Sequence, residues 1–68
     1  MVDLWEKHFV MVGMVRRGGS FVAALGKALM QADDENTAKI KNTWSEYWTE
    51  YLAIGRDIYD REQTEKGE

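Results

Sequence analysis

The chain has 68 residues, a mass of 7.9 kDa and a net charge of −3 from nine basic and twelve acidic side chains. That length accommodates one small domain, and a domain of this size buries only about 60% of its unfolded surface. The absence of cysteine excludes disulfides, thiol nucleophiles and most zinc sites. A hydrophobic content of 44%, with three Trp, three Tyr and two Phe, excludes a disordered chain. The acidic balance argues against a general nucleic-acid binder.

The first eight residues lack the basic start and small-residue cleavage site of a secretory signal. The longest apolar run, residues 9–15, falls far short of the about 20 residues needed to cross a bilayer. A cytoplasmic protein without membrane attachment is therefore expected. A first helix is predicted over residues 3–16. Trp5, Phe9 and Val12 share one face, with Leu4, Met11 and Val15 beside it, so the segment is apolar over much of its circumference. Residues 10–15 also fit a buried strand, but a lone strand in a helical chain has nothing to pair with unless a second copy supplies it.

Gly18-Gly19 is the strongest break, read as a turn with Gly19 at positive φ and Ser20 as the N-cap of the next helix. That second helix, residues 21–32, carries a stripe of Phe21, Leu25, Ala28 and Leu29. Its small residues Ala24, Gly26 and Ala28 permit close approach of another helix. A further break is expected at Asp33-Asp34, with an Asp as cap and Glu35 in the first turn.

The C-terminal third gives the strongest signal. Ile40, Trp44, Tyr47, Tyr51, Ile54 and Ile58 are spaced 4, 3, 4, 3, 4, a heptad-like seam. A second stripe holds Trp48, Leu52 and Tyr59. One helix over residues 35–62 is the favoured reading, with Gly55 and Thr43-Trp44-Ser45 as points where it could bend or restart. The fold class is therefore all-α: a small three-helix domain over residues 1–62 with a long aromatic C-terminal helix. Residues 63–68 form a polar tail expected to fray.

No residue set assembles a catalytic site. His8 has no orienting partner in the pattern. Asp33, Asp34 and Glu35 lack the alternating ligands and glycine turn of a calcium loop. Gly18-Gly19-Ser20 lacks a preceding strand and the lysine of a phosphate-binding loop. Glu46 and Glu50 interleave with the aromatic rings, which opposes base stacking in a basic groove. No enzyme, cofactor or metal is expected. Two aromatic stripes exceed what 68 residues easily hide, so a protein interface is predicted at Trp44, Trp48, Tyr51, Leu52 and Tyr59. Arg16 and Arg17, the densest positive charge, would contact an acidic partner. A homodimer is expected, because association adds the buried area a lone small core lacks. The alternative is a helix-turn-helix DNA regulator centred on Gly18-Gly19. Its recognition helix would offer only Lys27 and Gln31.

The run Gly18-Gly19-Ser20-Phe21-Val22-Ala23-Ala24-Leu25, followed by Ala32-Asp33, Asn36, Ile40, Tyr47-Trp48 and Tyr51, resembles a loose group of small bacteriophage and prophage proteins. Their pattern reads G-S-F-x-x-A-L, then A-D-x-x-N, then an aromatic-Pro step before Y-W-x-x-Y. The resemblance spans residues 16–51, and Trp44-Ser45 stands where the group has the aromatic-Pro pair. The group has no agreed activity, so no catalytic residue carries over. The resemblance implies a phage origin, a host protein as partner, and inhibition or modulation of that protein, including a defence component, by occlusion.

Overall fold

The computed structural model describes residues 2–66, and these form four helices with no strand among the described residues. They are α1 (Leu4–Arg17), α2 (Ser20–Gln31), α3 (Asp34–Thr43) and α4 (Ser45–Lys66). The all-α reading holds, and residues 10–15 are helical. The helix count does not hold.

Helix α1 starts where the Asp3 carboxylate accepts a hydrogen bond from the Trp5 amide, and it ends on Arg16 and Arg17, whose charge complements the helix dipole. At the following turn the glycines act differently from the expectation. No described residue has positive φ; Gly19 sits at φ −70° and is itself the cap, without a side-chain bond. Ser20 is the first helical residue instead. Gly18 is required by space, because a Cβ there would lie 2.5 Å from the Met14 carbonyl oxygen and 2.6 Å from Val22 Cγ1. A Cβ on Gly19 would meet nothing within 4 Å.

Helix α3 is capped as expected, the Asp33 side chain accepting from the Asn36 amide at 2.8 Å. The favoured single long helix is corrected at Trp44, which leaves helical geometry at φ −117°, ψ 52°. Ser45 is the first residue of α4. The cap position belongs to Trp44, whose carbonyl accepts from the Trp48 amide at 2.9 Å. The reason is burial. Helices α1 and α2, of 14 and 12 residues, cannot cover a rod of twice their length, so α3 folds back. Folding back buries Thr37 and packs Ile40 against the core. Of the residues expected to fray, 63–66 lie within α4, while 67 and 68 fall outside the described residues.

The core joins Val10 and Met14 of α1 to Val22, Leu25 and Leu29 of α2 and to Trp48 and Tyr51 of α4. Helices α1 and α4 cross at two glycines. A Cβ on Gly13 would strike the Tyr51 carbonyl oxygen, and one on Gly55 would strike the Phe9 carbonyl oxygen. Gly55 is thus a contact point and not the bend the sequence suggested. Gly26 plays the same part between α1 and α2, where an added Cβ would lie 2.8 Å from Met14 Cβ, whereas Ala24 and Ala28 are exposed. Lys7 ties the far end of α2, donating from Nζ to the Ala32 carbonyl at 2.6 Å.

Two substitutions separate these glycine roles. Alanine normally stabilises a helix interior over glycine by about 0.5–1 kcal/mol. Gly55→Ala will instead lower unfolding free energy by about 2–3 kcal/mol, because backbone must move to admit the methyl group. Gly19→Asp will raise it by roughly a few tenths of a kcal/mol by supplying the missing cap acceptor. Urea denaturation of both variants measures the signs.

Candidate protein-interaction surface

The residues predicted as interface anchors divide into two sets. Trp48 is 3% exposed and Tyr51 is 9% exposed, and both belong to the core. They are corrected from surface to interior, because α1 lies over the middle of α4 and α3 closes over its start. Trp44, Leu52 and Tyr59 are half-buried. Arg16 and Arg17 are exposed, and Arg16 already has an acidic partner in Glu62 at 2.6 Å. The Lys27 and Gln31 side chains of the DNA-binding alternative are exposed on α2.

Burial of Trp48 is made possible by a polar cluster that the sequence did not reveal. The Trp48 indole Nε1 donates to Glu6 Oε2 at 2.7 Å, and Lys41 Nζ reaches the same oxygen at 2.9 Å. The ammonium also stands 5.8 Å from the centre of the Trp48 ring, within cation–π range. Three helices meet at one carboxylate oxygen. The hydrogen bond from Lys41 and then that from Trp48 hold the Glu6 carboxyl below its ordinary range, against a smaller opposing effect of burial. Residues 42 positions apart carry no spacing signal, so this contact could not be read in advance.

Surface aromatics gather elsewhere. Leu4 is 78% exposed and Trp5 is 56% exposed, and with His8 they line an apolar depression. Trp5 stacks against His8, Phe9 and Tyr59 at ring separations of 6.0, 5.7 and 5.8 Å. Met11 and the exposed Met30 extend the apolar surface past Leu4 and His8. The sequence placed Trp5 on one helical face with Phe9 and Val12 without saying which way that face points. Trp5 sits outside because α1 is apolar nearly all round, and only the sides carrying Val10, Gly13 and Met14 are covered. That all-round apolarity was the available signal. A smaller group, the exposed Phe21 against Trp44 and Tyr47, lies at the start of α4.

Among the described residues no three His, Asp or Glu side chains gather to hold a metal ion. Asp33 is engaged as a cap, and His8 contacts rings. No described helix is long and apolar enough to cross a membrane. Compared with known proteins, the chain matches no family model, no curated protein and no solved structure. Function is therefore read from the surface itself.

The Glu6 cluster sets a pH dependence. A carboxyl whose folded pKa is lowered contributes stability above its unfolded value, and that contribution disappears as pH falls through the folded value. The urea midpoint of the parent protein will therefore fall on acidification below about pH 4 more steeply than that of Glu6→Gln. At pH 7 the Gln variant will be less stable by about 1–2 kcal/mol.

Proposed function

We propose that this protein is a non-enzymatic protein-binding module whose contact face is the Leu4–Trp5–His8–Tyr59 surface. The observation that carries the reading is Trp5, a large ring held by three others yet more than half exposed. The ring contacts order the side chain yet leave more than half of it exposed to water, and a partner would recover that area. Asp3 and Asp60, next in sequence to Leu4 and Tyr59, lie exposed and form no ion pair among the described residues. The complementary partner is a protein with an apolar pocket for the indole and lysine or arginine on its rim. The phage resemblance supports a host protein in that role, inhibited or modulated by occlusion of the surface that Trp5 fills. Self-association as a homodimer belongs to the same reading, as does action inside the host cytoplasm. Arg17 remains available to an acidic neighbour, while Trp48 and Tyr51 are assigned to the fold.

A photo-crosslinking residue placed at exposed position 4, with Trp5 intact, and separately at exposed Lys27, tests this in bacterial lysate. Position 4 will yield one discrete heterologous product, and Lys27 will not. Trp5→Ser will reduce recovery of that partner by about thirtyfold or more while leaving helicity and thermal unfolding almost unchanged, as expected for an interface anchor outside the core. Equal recovery by Trp5→Ser contradicts the assignment, and retention of duplex DNA at low salt would transfer it to the regulator alternative.

A further inference from the structure

The joint between α3 and α4 differs from the other two joints. Two glycines separate α1 from α2, and α3 begins on the Asp33 side-chain cap. Between α3 and α4 only Trp44 leaves helical geometry, and neither proline nor glycine stands within ten residues of it. The Ser45 hydroxyl makes no capping bond among the described residues. The backbone ladder closes with the Trp44 amide on Ile40 and resumes with the Trp48 amide on Trp44. The amides of Ser45, Glu46 and Tyr47 lie in the gap, where a continuous helix would give each a partner.

The other side of the balance is weak. Helix α3 buries only Thr37, and its buried hydroxyl has no hydrogen-bond partner. Meanwhile the heptad-like seam from Ile40 through Trp44, Tyr47, Tyr51 and Ile54 to Ile58 continues across the break as though it were absent. The seam favours a straight helix here, Thr43-Trp44-Ser45 permits a break, and packing against the same chain selects it.

Straightening has a geometric consequence. Adjacent residues of α1 hold both ends of the α3 fold-back: Lys7 binds the Ala32 carbonyl before α3, and Glu6 binds Trp48 after it. In a straight helix, the start of α3 and Trp48 would be about 20 Å apart at 1.5 Å per residue. Consecutive side chains cannot reach both. We propose that Trp44 is an exchange hinge: α3 and α4 join into one helix, and the α1–α2 hairpin leaves its own α4 to pack on that of a second copy. The occupant of the vacated α4 surface is the same hairpin from the partner, so Gly13 again meets Gly55 and Arg16 again meets Glu62, now between chains. Short joints held bent against local preference are where such exchange occurs. This inference does not depend on the Trp5 surface.

The test uses the native absence of cysteine. In an Arg16→Cys/Glu62→Cys variant the two positions face each other, as the Arg16–Glu62 pair does at 2.6 Å. After refolding at high concentration, a short bis-maleimide will link them between chains, giving a covalent dimer on a denaturing gel. Adding Ser45→Pro will reduce that dimer by more than about a hundredfold and restore the link within one chain. Proline is tolerated at the first helical position but is strongly unfavourable inside a helix. Circular dichroism confirms that the proline variant stays folded. Links within single chains alone, whether from a monomer or from an associated but unexchanged dimer, would overturn the proposal. So would an interchain product unaffected by Ser45→Pro.

Discussion

The crossing of α1 and α4 at Gly13 and Gly55 is the constraint on which the remaining structure depends. Backbone meets backbone there, with the Phe9 and Tyr51 carbonyls occupying the space where side chains would stand. Close approach brings Val10 and Met14 onto Trp48 and Tyr51, so a chain of 68 residues obtains a closed core. It also decides the fate of α1's other side chains. With one flank on α4 and another on α2 across Gly26, the apolar residues Leu4 and Trp5 are left facing outward. The candidate interaction surface is thus a by-product of how closely two helices pack.

A second constraint follows from burying an indole. Trp48 needs an acceptor for its N–H, and Glu6 supplies one whose charge must itself be met, by Lys41. This three-way contact draws α3 back toward α1. It acts with the Lys7–Ala32 bond to bend the chain at Trp44, against the local preference of residues 35–62 for one helix. The bend is therefore a tertiary effect, imposed at Thr43-Trp44-Ser45, where the sequence permits a restart but does not require one.

Much of the architecture was legible in the sequence. Asp33 reads as a cap because a short carboxylate precedes an acidic first turn, and the double glycine reads as a turn. The aromatic spacing placed Tyr51 and Ile58 on one face of α4, and the fold buries that face. Three features were not legible, each for a physical reason. Gly18 and Gly55 looked like sites of backbone freedom, but they serve close approach, which depends on what lies opposite. The break at Trp44 was named as a possible restart, but that it occurs depends on distant contacts, so the single long helix was favoured over it. The interface residues were sought among the most densely aromatic stretch, yet density there signals core. Trp48 and Tyr51 lie inside, whereas Trp5, isolated among fewer rings in sequence, is outside. Periodicity identifies which residues share a face but not which of two faces a small domain has enough material to cover.

The most direct test of this account is a solution NMR measurement of through-space contacts from the α-protons of Gly55. The crossing predicts strong cross-peaks to backbone protons of Phe9 and Gly13, with the Trp5 indole connected to Tyr59 but not to Trp48. A spectrum in which Gly55 sees only its own helix, or in which Trp5 contacts the interior, would contradict it.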